Sequence, residues 1–266
     1  MDEGTSSPGA RPGNLDVINR MFELQAEGFE DEGLAFTREG WLSHLVEVVA
    51  PAGSDSVLEV CAGTCACGRA LALGAGVVVC LDATEGMLRV GAREARAAGL
   101  ANMAFVHGYA QDLPFLDGSF DVVLSRLAFH HLEEPQAAFA EMCRVLRPGG
   151  RLVLVDMEAA PEALRATQDR IETLRDPSHV RNLSLDEMRA LFHGAGLSVA
   201  RCEVARVRQH LGRWLDLTRT PDGARREVEA LMAAELAGGA PTGFAPYVHE
   251  GEVCFDQRWV LTLATS

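Results

Sequence analysis

The chain has 266 residues, a formal net charge of −14 and 48% hydrophobic residues, enough for one large α/β domain or for a core carrying a smaller cap. No apolar run approaches the roughly 20 residues needed to cross a bilayer. A nucleic-acid partner would need a basic stripe strong enough to overcome the acidic mean field, and the arginines around 201–213 and 224–226 are interspersed with acids and apolar residues as on a solvated helix face.

Residues 1–14 are polar, with early acids, and lack the basic-then-apolar order of a secretory leader. They are read as a disordered lead-in, and the compartment as cytoplasmic. Apolar residues at helical spacing over 15–29 and from Trp41 to Val49, closed by Pro51-Ala-Gly, predict two helices in an N-terminal helical cap over 15–50. Short runs apolar on both faces follow, at Val57–Val60, Val77–Leu81, Met103–Val106, Phe120–Leu124 and Leu152–Val155, as in buried parallel strands. Helical stretches at 66–74, 85–98 and 135–146 separate most of them, the last stopped by Arg147-Pro-Gly-Gly150 before the fifth strand.

This alternation predicts an α/β fold with a Rossmann-like, doubly wound sheet over 51–160, with ligands at the carboxyl ends of its strands. Over 161–266 the reading is of cap helices at 161–174, 208–218 and 222–236, and another opening with a capping box at Ser184-Leu-Asp-Glu187. Strands at Leu197–Val207 and Val253–Leu263 complete the sheet, and the partial alternation of the latter suggests an antiparallel edge or hairpin.

The first strand runs into Glu59-Val-Cys61-Ala62-Gly63-Thr64-Cys65-Ala-Cys67-Gly68. A strand, an acid, a tight turn of small residues and a helix start make a cradle in which backbone can approach a ligand and helix N–H groups can meet an anion. Roughly 20 residues on, the second strand ends at Asp82, where an acid can accept both hydroxyls of a ribose. Strand-end capping by Glu59 and Asp82 is the plainer alternative. The third strand ends in Gly108-Tyr109-Ala110-Gln111-Asp112, the fourth in Ser125-Arg126-Leu-Ala-Phe-His130-His131, and Val145-Leu-Arg-Pro-Gly-Gly150 precedes the fifth.

These five ordered segments, over residues 55–158, resemble class I methyltransferases dependent on S-adenosylmethionine (SAM), in the group that includes the ubiquinone/menaquinone-biosynthesis C-methyltransferases. The segment Arg175-Asp-Pro-Ser-His-Val-Arg181 resembles a feature of one uncharacterised branch of that group. The resemblance implies SAM as cofactor, with S-adenosylhomocysteine as product. Glu59 would orient the methionine amino group, with backbone contacts from Cys61, Ala62, Gly63 and Thr64. Asp82 would hold the ribose, Ala83 and Met87 would line the adenine, Ala110 would offer it a backbone N–H, and Ser125 and Arg126 would lie beneath the sulfonium. Two departures stand out: Cys65 where a third glycine is usual, which adds bulk at the cradle, and Tyr109 where an acid usually meets adenine, a role left to Gln111, Asp112 or stacking by Tyr109 itself.

A histidine after the fourth strand can accept a proton as a hydroxyl, amine or carbon acceptor is methylated, and His131 is favoured over His130 for this, with packing or capping as the alternative. Arg175, His179 and Arg181 are candidates to hold an anionic group of the substrate, or are solvated helix-end charges. Phe22, Phe29, Phe36 and Trp41 cover the site or simply pack. Seven cysteines, an odd number, are no disulfide framework in a chain of this size, and the spacing of Cys61, Cys65 and Cys67 matches no four-ligand zinc pattern, so no metal is expected. The reading is therefore an enzyme transferring methyl to a small-molecule acceptor by direct displacement, without nucleic acid or membrane span and with the oligomeric state open, a homodimer included. The rivals are a non-catalytic SAM-fold sensor or assembly protein, and a thiol or metalloid methyltransferase using Cys61, Cys65 and Cys67.

Overall fold

The computed structural model describes residues 14–29 and 39–266; of the expected lead-in, only Asn14 falls among them. Strands β1 (Ser56–Val60), β2 (Val77–Asp82), β3 (Met103–His107), β4 (Phe120–Arg126) and β5 (Leu146–Met157) alternate with helices α3 (Ala66–Ala72), α4 (Glu85–Ala97) and α5 (Pro135–Val145). They pair in parallel in the order β3-β2-β1-β4-β5. The registers Glu59↔Cys80, Glu59↔Leu124 and Asp82↔His107 bring the carboxyl ends of β1 to β4 to one rim.

Before this core lie α1 (Asn14–Gln25), a 3-10 turn at Ala26–Gly28, and α2 (Glu39–Val49). After it come α6 (Glu162–Arg175), α7 (Leu185–Gly194), β6 (Ser198–His210), α8 (Leu211–Leu217), α9 (Asp222–Leu236), β7 (Tyr247–His249) and β8 (Glu252–Thr265). The capping box at the start of α7 forms, with Ser184 Oγ accepting from the Glu187 N–H at 3.2 Å and Glu187 Oε2 accepting from the Ser184 N–H at 2.8 Å.

Both faces of the sheet are covered, which is why its central strands are apolar throughout. Val57, Val122, Leu124 and Val153 pack with Leu45 and Val49 of α2 and Leu71 of α3. On the other face Leu58, Val123, Leu152 and Leu154 meet Phe139 and Met142 of α5 and Phe192 of α7. Full burial of such a side chain contributes about 1.5–3 kcal/mol. A third cluster, with Ile171, Trp214, Leu215, Val228, Met232 and Phe255, joins α6, α8 and α9 beside one end of β8.

Two local expectations change. Leu146 already pairs with Phe120, and the register shifts before Val122 meets Arg151, so Arg147–Gly150 stops α5 and also forms the irregular head of β5. Strand β8 is not an edge: it lies between β5 and β6, antiparallel to both, with Trp259–Ala264 buried, and hairpins with short β7 as well. Its partial alternation reflects its Glu252–Arg258 half, beyond the core. Among the described residues no helix is long and apolar enough to cross a membrane.

Candidate functional site

The turn after β1 has left-handed backbone at Cys61, Gly63 and Cys65, φ 54°, 53° and 63°. Glu59, buried beneath it, accepts the Gly68 N–H at 2.7 Å and the Cys80 thiol at 3.6 Å through Oε2. A Cβ at Gly68 would lie 2.8 Å from that oxygen and 2.5 Å from Cys80 Sγ, so only glycine lets α3 come this close. Burial raises the Glu59 pKa, while the Gly68 N–H and the positive charge of Arg126 work against the rise. Asp82, at the end of β2, accepts the Gly63 N–H at 2.7 Å on one oxygen and the Thr84 N–H at 2.8 Å on the other. Each carboxylate oxygen has two lone pairs, so Asp82 fixes the turn and keeps acceptor capacity.

Glu59, Cys61, Ala62, Gly63, Thr64, Asp82, Ala83, Tyr109, Ala110, Gln111 and Arg126 line one cavity at the strand ends. The cavity is open at its mouth and encloses about 190 Å³. Helix α1 forms one wall through Leu15, Ile18, Phe22 and Gln25. It is tied down by Asn14 Nδ2 donating to the His131 carbonyl at 2.7 Å, by Glu23 Oε2 accepting the Gly86 N–H at 2.9 Å, and by a Glu23–Arg89 ion pair. Gln25 is 3% exposed, and its Nε2 is a buried donor with no hydrogen-bond partner among the described residues.

His130 and His131 line the same cavity, their rings 4.1 Å apart, but they are held differently. Asp156 ends β5 buried, accepting the Phe129 and Met157 N–H groups and, on Oδ1 at 2.7 Å, His130 Nδ1. Burial alone would lower the His130 pKa, but the Asp156 charge and hydrogen bond outweigh it and the pKa is raised. The Asp156 carboxyl is held low, its own burial outweighed by His130 and the backbone donors. His131 is pushed down to about 3 by burial and by its neighbour His130. Its Nδ1 lies 3.0 Å from Ser178 Oγ, which donates to Asp176 Oδ1 at 2.6 Å. That hydroxyl proton is committed, so His131 Nδ1 carries the hydrogen and Nε2 is the ring's acceptor.

Other sequence candidates fall elsewhere. Cys65 is fully buried and turns from the cavity towards α4, where a Cβ on Gly91 would lie 2.7 Å from its Sγ; the bulk expected at the cradle goes there. Met87 packs with Ala26, Val90, Phe22 and Phe29 and is not itself in the cavity lining, and Ser125 is wholly buried, its hydroxyl without a partner among the described residues. Of the polar trio only Arg175 reaches the cavity; His179 pairs with Asp169 at 3.0 Å and Arg181 with Glu187 at 2.7 Å. Phe36 lies outside the described residues, Phe22 and Phe29 line the cavity, and Trp41 packs on Trp259 at 5.2 Å. Burial raises the Cys61 and Cys67 thiols, the latter to about 12, so neither is a thiolate near neutral pH. Sequence reading missed Asp156, Asp176 and Gln25; only Asp156 carried a signal, as a third acid at a strand end.

The pattern of the methyltransferase domain family matches residues 58–154. YcgJ of Bacillus subtilis strain 168, named an uncharacterized methyltransferase, is 33% identical over 211 residues, covering 78% of this chain and 82% of YcgJ. Its crystal structure superposes with a TM-score of 0.78 over 86% of this chain and 99% of that one, at 26% identity. YafE of Escherichia coli strain K12, named an uncharacterized protein, is 38% identical over 146 residues, 54% of this chain and 70% of YafE. A demethylmenaquinone methyltransferase of Clavibacter sepedonicus is 40% identical over 124 residues, 47% of this chain and half of that enzyme.

Proposed function

This chain belongs to the family of SAM-dependent methyltransferases built on the methyltransferase domain, and from that premise we propose that it methylates a small molecule by direct displacement, with His130 as the proton acceptor. SAM, when bound, supplies an electrophilic methyl group on a sulfonium.

The observation that carries this reading is the pairing of Glu59 and Asp82, acids at the ends of adjacent strands that line one cavity on either side of the 61–65 turn. Glu59 and Arg126, opposite charges within each other's field, suit the ammonium and carboxylate of an amino acid. Arg126 thus belongs at the methionine end rather than beneath the sulfonium, where like charges would repel. Asp82 takes the ribose through its unused lone pairs, and Ala83, Tyr109, Ala110 and Gln111 bound the base.

Catalysis then rests on holding the acceptor in line and excluding water, work for the walls made by α1 and by Trp214 and Trp259. Where the acceptor is a hydroxyl or amine, its proton passes to Nε2 of neutral His130 while Asp156 holds the opposite nitrogen and stabilises the imidazolium that forms. His131, depressed to about 3, suits a fixed hydrogen-bond acceptor better than a base. Cys65, one of the two departures behind the sensor reading, turns away from the cavity, while the other, Tyr109, stays in its lining; for the metalloid reading, the Cys61 and Cys67 thiols are raised by burial.

Calorimetry tests the premise: one S-adenosylhomocysteine per chain should bind and NAD should not. Failure to bind the former, or preference for the latter, would refute it.

A further inference from the structure

Besides the Glu59–Asp82 cradle, the cavity is lined by residues of α6, β6, α8 and β8. Helix α8 is short; its Arg213, Trp214 and Leu217 line the cavity, as does His210 at the end of β6. Trp214 is fixed as the apolar floor: its ring lies 4.9 Å from Phe255 and 5.5 Å from Phe244, and the Arg175 guanidinium covers it at 4.4 Å. Trp259 adds a second indole to the lining.

The charged groups here are unequally committed. Arg175 pairs with Glu172 at 3.2 Å and donates Nε to the Trp214 carbonyl at 3.0 Å. Asp176 is spent on Ser178, and His210 is bound to Glu252 at 2.6 Å. Arg208 lies across from Asp256 in the β6–β8 pairing; among the described residues it donates Nε to the Tyr247 hydroxyl at 3.1 Å, with its guanidinium 6.0 Å from that ring's centroid, while the hydroxyl donates to Asp256. Arg213, itself exposed, has no carboxylate partner among the described residues, whereas Arg89, Arg144 and Arg225 each have one. Among the arginines here the least committed are thus Arg213 and, through its outer nitrogens, Arg208, beside two indoles and the amides of Gln209 and Gln257 that share the lining.

We propose that the methyl acceptor carries a carboxylate on an apolar, ring-bearing body, the carboxylate held by Arg213 and Arg208 and the ring packed against the wall that Trp214 and Trp259 contribute. This rests on the reading that the cradle end is taken by the cofactor. A planar carboxylate matches a guanidinium fork, and in a chain of net charge −14 an exposed pair of arginines at the cavity's edge is a local attraction for an anion.

The test is calorimetry of the full chain, with and without saturating S-adenosylhomocysteine, using 2-naphthoate and its neutral isostere 2-naphthamide. The acid should bind about 10-fold or more tightly than the amide at low salt, the scale of a charge-assisted pair. In an Arg208→Gln/Arg213→Gln variant the ratio should fall to about one with S-adenosylhomocysteine affinity unchanged. Both positions are exposed, so the fold should persist, and an unchanged circular dichroism melt checks it. Equal affinities in the natural protein, binding of neither probe, or a ratio the variant leaves intact would each overturn the proposal. Because the ratio can be read without S-adenosylhomocysteine, its failure is separable from failure of the cofactor to bind.

Discussion

Replacing Asp82 with alanine probes the cofactor grip most directly. The carboxylate accepts two backbone N–H groups, from Gly63 and Thr84, and its remaining lone pairs are assigned to the ribose hydroxyls. Hydrogen bonds to a charged group are worth about 1.5–3 kcal/mol each and are not additive, so Asp82→Ala should weaken S-adenosylhomocysteine by about 2–4 kcal/mol, or about 30- to 1000-fold. Part of that loss would come from a loosened turn rather than from the ribose. A double cycle separates the two: 2′-deoxy-S-adenosylhomocysteine should bind the natural protein about 10-fold or more weakly, yet suffer little further loss in the variant. Calorimetry at fixed pH and salt gives all four affinities. An equal 2′-deoxy penalty in both proteins would mean that Asp82 only organises the turn, and the ribose role would be wrong.

The paired histidines should titrate far apart. By NMR, His130 should lose its proton above the ordinary histidine range and His131 should stay neutral down to about pH 3; two titrations near 6.5 would refute the Asp156 and Ser178 arrangement. Since the folded His131 pKa lies below its unfolded value of about 6.5, its contribution to stability is complete above that value and lost as pH falls towards 3. That loss runs at up to about 1.4 kcal/mol per pH unit, and His131→Gln should flatten the slope of a denaturant series across this window. Asp156→Asn should move the acid limb of the methyl-transfer rate to lower pH, because His130 loses the carboxylate that raises it; an unmoved limb would remove His130 as base. Gly68→Ala should weaken S-adenosylhomocysteine by displacing Glu59 and lower the melting temperature, and full affinity would show that α3 can shift. Glu23→Ala should speed hydrogen exchange in α1 several-fold with little change in the global melt, and unchanged exchange would mean that this helix is not held by its contacts to α4.

Much of the architecture was written in short-range patterns. Runs such as Val57–Val60 are apolar on both faces because helices cover both sides of the sheet, and the acids closing β1 and β2 mark the cradle in the sequence itself. What escaped depended on contacts across the fold. His130 and His131 are adjacent and look interchangeable in sequence, yet one faces Asp156, 26 residues on, and the other Ser178, 47 residues on, and these partners drive their basicities apart. Arg175, His179 and Arg181 look like one set, but lie in a chain path that sends only the first to the cavity. The orphan amide of Gln25 and the α8 face required knowing which wall each helix supplies.

The thiol of Cys65 resting against the bare backbone of Gly91 has a bearing on how such chains are found. Volume that a third glycine would have left out of the turn has been removed one helix later instead, so the two positions make a single steric unit. A motif filter that insists on glycine at the turn would discard this chain as defective, although its side-chain bulk never enters the ligand's space. A filter scoring both positions together would keep it, and would reject sequences that have the cysteine without the matching gap.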